Sequence, residues 1–134
     1  GNSDLKTLHN EFMYQWSKRQ NNILLITGHT HQPVFASLTH LERLLLRREE
    51  ALQANDGDAL AKIDAEIPRR RREYDFVKQS FREVRPSYFN SGCCCYKDGN
   101  ITGIEISEGC IRLVKWSKGE RIVAEQTPLA ELKV

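Results

Sequence analysis

The sequence predicts a mixed α+β chain: an N-terminal helix, a buried strand, an antiparallel helical hairpin, and then an antiparallel β-meander. Three observations predict it. Apolar residues recur every three to four positions near the start and through the middle of the chain. A short uninterrupted apolar run, "ILLIT", lies between the two helical regions. From residue 87 onward, alternating β-branched and polar residues are divided by glycine-bearing turns.

Residues 4–19 read as an amphipathic helix, with Leu5, Leu8, Phe12 and Trp16 on one face and Ser3 or Asp4 as N-cap. Asn21 and Asn22 end it, and residues 23–27 follow as a strand covered on both faces, so that helix and strand form an α/β layer. Residues 28–33 form a loop at the carboxyl end of that strand, where ligands bind in open α/β sheets, and Pro33 keeps Gln32 out of a helix.

Residues 37–84 give two helices, 37–54 and 59–84, joined by the turn "NDGD" with Asp58 as cap. Leu38, Leu41, Leu45 and Leu52 mark the first apolar stripe; Ile63, Ile67, Tyr74, Val77 and Phe81 mark the second. Pro68 predicts a kink or break in the second helix. The four arginines 69–72 occupy one turn, so at least one faces the opposite helix or its glutamates Glu42, Glu49 and Glu50. The bland reading of this turn is a solvated, salt-bridged face. Beyond it, residues 87–96, 101–106, 111–116 and 121–126 read as four strands of a meander, with turns at "KDGN", "SEGC" and "KGE".

The chain has 134 residues, 40% of them hydrophobic, with 20 basic against 18 acidic side chains. One ordinary domain fits that length, and the near-neutral balance predicts no strong field toward nucleic acid or membrane. No stretch approaches the length of a membrane span, and the start lacks a basic-then-apolar leader pattern. Cys93, Cys94 and Cys95 are consecutive, a poor framework for disulfides or zinc, so with Cys110 they read as small apolar residues of a reducing compartment, the cytoplasm. The first residue is Gly1 rather than methionine, which points to a preceding segment or a removed tag.

The candidate site is Gly28-His29-Thr30-His31. Residues two apart in extended backbone project to one side, so both imidazoles can face one cavity as ligands for a borderline metal such as zinc or iron. Gly28 removes a side chain where the loop must turn sharply. Taken alone, two histidines one residue apart also arise by chance in polar loops. His9 reads as a partly buried helical histidine beside the apolar face, and His40 as a surface residue.

The run "ILLITGHTHQPVF", the later "YFNSG" and the strands that follow resemble the C-terminal end of calcineurin-like metallophosphoesterases. Gly28-His29-Thr30-His31 resembles the last metal motif of that family, and Asn90-Ser91-Gly92 resembles the N-x-G turn often found on its next strand. The resemblance implies an α-β sandwich and two divalent ions (Mn, Fe or Zn), with His29 and His31 each bound to a different one. Thr30, Gln32 or backbone carbonyls would accept from the far ring nitrogens, with Gly28 and Asn90 beside them. A metal pair there would clamp a phosphoester and activate a bound water. The family's earlier Asp- and His-bearing motifs have no counterpart here. Residues 1–134 therefore read as a C-terminal segment, inactive alone, with none or one weakly bound zinc or nickel ion, and residues 37–84 as a helical-hairpin insertion. The strand at 23–27, left with an unpaired edge, is expected to drive dimerisation or larger self-association. Two other readings stand beside this one. One is a protein-interaction module using the hairpin, with the histidines incidental. The other is a nucleic-acid contact through the arginine turn, which the acidic residues on both helices disfavour.

Overall fold

The computed structural model describes residues 2–28, 32–74, 77–92 and 100–134, with the side chains of the first helix from residue 8 onward. His29, Thr30, His31, the cysteines 93–95, most of the turn at 97–100 and the Leu5 side chain lie outside the described set. The element order is α1 (Asn2–Lys18), β1 (Leu25–Thr27), α2 (His40–Gln53), α3 (Gly57–Arg71), β2 (Tyr88–Asn90), β3 (Ile101–Ser107), β4 (Cys110–Ser117) and β5 (Glu120–Pro128), with short 3-10 turns at Phe81–Glu83 and Leu129–Glu131. This is the mixed α+β class read from the sequence. The chain divides into two compact units, Gly1–Ser37 with Arg85–Val134, and Leu38–Val84.

In the first unit, β1 and β2 pair in parallel, Leu25 opposite Tyr88 and Thr27 opposite Asn90. The strand read as the first of four in the meander is therefore a partner of β1. Its three residues are all buried, because Phe89 faces one side of the sheet and Tyr88 and Asn90 the other. Among the described residues the meander has three strands, β3-β4-β5. Its two tight turns carry positive φ at Glu108 and Gly109 and at Lys118 and Gly119, the pairing that type I′ hairpins require. Ile111 and Leu113 of β4 meet Phe89 and Phe35, whose rings stand edge to face at 5.1 Å, and Leu24, Ile104 and Leu129 close this core.

Helix α1 lies on the opposite face of the small sheet, and its packing inverts the expected one. Leu8 and Phe12 are each 65% exposed and Trp16 is exposed as well, whereas Tyr14 and Ser17 are buried. Ser17 Oγ and Ser87 Oγ lie 2.8 Å apart, and Tyr14 Oη accepts from Arg85 N at 3.1 Å. Polar partners on the sheet, rather than the apolar stripe, set which side turns inward. The helix starts at Asn2, so Ser3 and Asp4 lie within it, and His9 is exposed rather than partly buried. On β1, Ile26 is 42% exposed, so the strand is not covered on both faces.

The second unit is the helical hairpin. Thr39 caps α2 in a complete capping box with Glu42, and Asp56, two residues before the expected Asp58, caps α3. Leu41, Leu44 and Ile67 form its core, joined by Leu45, Ile63, Tyr74 and Val77. Helix α3 passes through Pro68 and stops at Arg71, well short of residue 84. Tyr74 and Val77 still reach the core from the non-helical segment beyond it. The buried Glu42 carboxylate fixes that segment: it accepts from Lys78 N at 2.6 Å and from Thr39 N at 2.9 Å. Among the described residues, none of the arginines 69–72 forms an ion pair with Glu42, Glu49 or Glu50. Arg70 instead holds Glu66 and Glu73, while Glu49 pairs with Arg82.

Candidate functional site

β1 and β2 are parallel, so both deliver their carboxyl ends to the same edge of the small sheet. Thr27 ends β1 on one side of β2, and Val34 bridges Asn90 in antiparallel fashion on the other side. Val34 N donates to Asn90 O at 2.9 Å and Asn90 N to Val34 O at 2.8 Å. The described ends of the 28–33 loop, Gly28 after Thr27 and Pro33 before Val34, thus flank the end of β2. Gly28 and Gln32 are half-buried and Pro33 is buried. His29, Thr30 and His31, the centre of the candidate site, lie outside the described residues.

The Asn90-Ser91-Gly92 turn fastens both of these loop ends. Ser91 N donates to Thr27 O at 2.9 Å. A Cβ at Gly28 would meet Ser91 Oγ at 3.2 Å, so the missing side chain lets strand and turn close together. Gly92 has φ +74° and backs onto Pro33 and Thr102, and Thr102 Oγ1 donates to Ser91 O at 2.7 Å. The turn itself is closed by the Asn90 side chain, whose Oδ1 accepts from Gly92 N at 2.9 Å.

A buried polar network lies beneath. Tyr88 Oη donates to Asn10 Oδ1 at 2.7 Å, and lies 2.8 Å from Thr27 Oγ1 and 3.1 Å from Asn90 Nδ2, from both of which it accepts. Asn90 Nδ2 also donates to Asn10 Oδ1 at 3.2 Å. Burial pushes the Tyr88 phenol upward, against the opposing hydrogen bonds to Thr27 and Asn90, so the group is a neutral donor at physiological pH. Asn90 is wholly buried and its amide is committed to Gly92, Tyr88 and Asn10, so it acts from beneath the loop. Sequence reasoning named the Asn90-Ser91-Gly92 turn but missed Asn10, Tyr88 and Thr102. The signal for Asn10 was present as a second stripe on α1, in which Asn10, Tyr14 and Ser17 share a face at helical spacing.

A second titratable cluster lies in the hairpin unit. His40 is half-buried rather than a surface residue, and its Nε2 donates to Glu66 Oε1 at 3.0 Å, since a carboxylate can only accept. Burial lowers the His40 pKa, Arg43 and Arg70 add to the effect, and the Glu66 hydrogen bond opposes it. Burial pushes the Tyr74 hydroxyl up to about 12.

Among the described residues, no three His, Cys, Asp or Glu side chains gather closely enough to hold a metal ion. Two imidazoles suit a borderline metal but cannot by themselves furnish a dinuclear centre, which needs an anion between its cations. No helix among the described residues is long and apolar enough to cross a membrane. Compared with known proteins, the chain matches no family model, no curated protein and no solved structure.

Proposed function

We propose that this chain is the C-terminal part of a dinuclear-metal phosphoesterase, in which His29 and His31 each bind one of two divalent ions (Mn, Fe or Zn). The observation that carries the reading is the anchoring of the described loop ends: Gly28 follows the carboxyl end of a parallel strand, and Thr27 and Gly28 at one end and Pro33 at the other lie against the Asn90-Ser91-Gly92 turn. Ligands held on so constrained a loop keep their spacing without reorganisation. When bound, the metal pair would polarise a phosphoester and acidify a water. This chain would contribute one imidazole to each ion, and Thr30, Gln32 or backbone carbonyls would orient the rings. The bridging carboxylates would come from a preceding segment, so the chain alone is inactive and holds at most one weakly bound ion.

Among the described strands β1 pairs only with β2, and its other edge is open. In the longer protein that edge is covered by the preceding segment. In this chain alone it drives self-association. The setting proposed is the cytoplasm, with a phosphoester substrate and no nucleic-acid surface.

The test is hydrolysis of p-nitrophenyl phosphate or a cyclic dinucleotide by the longer protein with Mn or Zn. His29→Ala abolishes turnover, and this chain by itself shows none. Full activity in His29→Ala, or an upstream reading frame without Asp- and His-bearing ligand motifs, would overturn the proposal. One observation favours a second reading: the hairpin is a compact unit with its own core. As a module that binds a protein partner, it would function unchanged when both histidines are replaced.

A further inference from the structure

Helix α1 turns its polar residues inward and leaves an apolar face exposed. Leu8, Phe12 and Trp16 follow one another every four residues, so each lies within about 40° of Phe12 around the helix, and all three are exposed. Three large apolar side chains on one face form a contiguous patch rather than the single exposures of an ordinary surface.

Two charged residues flank this face on the same side. Glu11 and Lys18 are seven residues apart, two helical turns, and each stands about 100–120° around the helix from Phe12. Glu11 is half-buried and accepts from Gln15 Nε2 at 3.0 Å, whereas Lys18 is exposed and its ammonium holds no acceptor. In a two-fold pair of antiparallel helices, residue i meets j and j meets i, so all contacting pairs share one midpoint. The midpoint of Glu11 and Lys18 falls between residues 14 and 15, and that of Phe12 and Trp16 at residue 14, about 0.75 Å away along the axis. A single axis therefore sets Phe12 against Trp16 of a second copy twice, and Glu11 against Lys18 twice. Gln15, the exposed residue nearest that axis, is uncharged, so the copies do not repel where a side chain meets its own counterpart. An anionic lipid surface fits less well, because the Glu11 carboxylate would face its headgroups.

We propose that a second copy of this chain docks on the α1 face, antiparallel, through Phe12–Trp16 contacts and Glu11–Lys18 ion pairs related by a two-fold axis. This surface is separate from the β1 edge and from the histidine loop. One helix face about 25 Å long buries less than the roughly 800 Å² per partner of a standard interface, so the contact is weak and fills only above micromolar concentration.

Sedimentation equilibrium on the Ile26→Pro chain, whose edge donor is gone, isolates this contact between about 10 µM and about 1 mM. A monomer–dimer equilibrium is expected across that range, and Phe12→Glu abolishes it. Glu11→Lys and Lys18→Glu each weaken association by about 10-fold or more, because symmetry applies each change twice and like charges then face one another. The two changes combined restore it. Should Ile26→Pro not fold, the same substitutions are read in the wild-type chain, as a loss of the mass gained between the two ends of the range. A chain whose mass does not rise across the range, an association that Phe12→Glu leaves intact, or a double variant no better than the single ones overturns the proposal. Co-sedimentation of the monomer with vesicles of phosphatidylcholine and phosphatidylserine, lost in Phe12→Glu, overturns it as well and gives the face to a membrane.

Discussion

Replacing Gly92 with alanine tests how the Asn90-Ser91-Gly92 turn packs against Pro33 and Thr102. Gly92 and Gly109 share φ +74°, so an alanine at either pays the same left-handed backbone cost, about 1–2 kcal/mol. They differ in surroundings. A Cβ at Gly109 meets nothing within 4 Å, whereas at Gly92 it would stand 2.5 Å from Thr102 Oγ1 and 3.3 Å from Pro33 Cδ. Turning the Thr102 hydroxyl away forfeits its hydrogen bond to Ser91 O, about 0.5–1.5 kcal/mol. Shifting the buried Pro33 adds an overpacking cost of about 1–3 kcal/mol. Gly92→Ala is therefore expected to lose about 2.5–6.5 kcal/mol, against about 1–2 kcal/mol for Gly109→Ala. Both glycines belong to the first unit, and so do both tryptophans of the chain, Trp16 and Trp116. Urea denaturation followed by tryptophan fluorescence thus reads the relevant unit. A Gly92→Ala variant no less stable than Gly109→Ala would refute the packing of the turn against Pro33 and Thr102.

In the hairpin unit, Glu42→Ala leaves two amides, those of Thr39 and Lys78, without their acceptor, and is expected to cost about 3–5 kcal/mol, while Glu42→Gln keeps an oxygen and costs about 1–2 kcal/mol. Hydrogen exchange of amides in residues 38–84 measures both, and equal protection in Glu42→Ala and wild type would count against the role. The lowered His40 pKa makes the hairpin pH-sensitive. Above the ordinary histidine value of 6.5 the ring is neutral in both states; as pH falls below it, the unfolded chain takes up a proton that the folded one resists, so stability drops until the folded value is passed. His40→Gln should flatten that part of the profile, and Glu66, also held low, contributes only below its ordinary 4.5. At the open edge of β1, Leu25 N and Thr27 O bond toward β2, so the Ile26 amide points away from it. Light scattering should give a dimer or larger mass, and Ile26→Pro, which deletes that donor, should shift it to monomer; a monomeric wild type would remove the edge-pairing argument.

Much of this fold was legible because its elements carry local signals. The capping pattern of Thr39 and Glu42, the glycines at 109 and 119 and the alternation along β3 to β5 act within a few residues, and the structure follows them. What the sequence hid depends on distant partners. β2 is only three residues long, and its partner in the parallel pair lies at residues 25–27; nothing local tells a Tyr-Phe-Asn strand to pair there rather than with the strand that follows. Its composition did hold a clue, since an aromatic pair ending in asparagine suits a central strand whose polar residues find partners inside. The overlong second helix has a similar cause. Tyr74 and Val77 continue the spacing of Ile63 and Ile67, but they meet the same apolar core from a segment held by Glu42 through backbone bonds, and hydrophobic period alone does not tell a helix from a chain laid along one. At the site, the glycine-histidine sequence is plain, whereas its support is spread over α1, β2 and β3 and carried by side chains with no motif.

The orientation of α1 shows why burial alone did not decide the packing. Rolling the helix to bury Leu8, Phe12 and Trp16 would gain about 1.5–3 kcal/mol for each side chain fully covered. The hydrogen bonds it would break, Asn10 to Tyr88, Tyr14 to Arg85 and Ser17 to Ser87, contribute only about 1 kcal/mol each in net terms. The comparison reverses once the groups left behind are counted. Ser87, Tyr88 and Asn90 are wholly buried, and each would lose the partner that α1 supplies, at about 1–3 kcal/mol for a buried group left short of one. The helix is thus held by the penalty of unpairing the groups beneath it, which fixes its rotation residue by residue as an apolar contact would not.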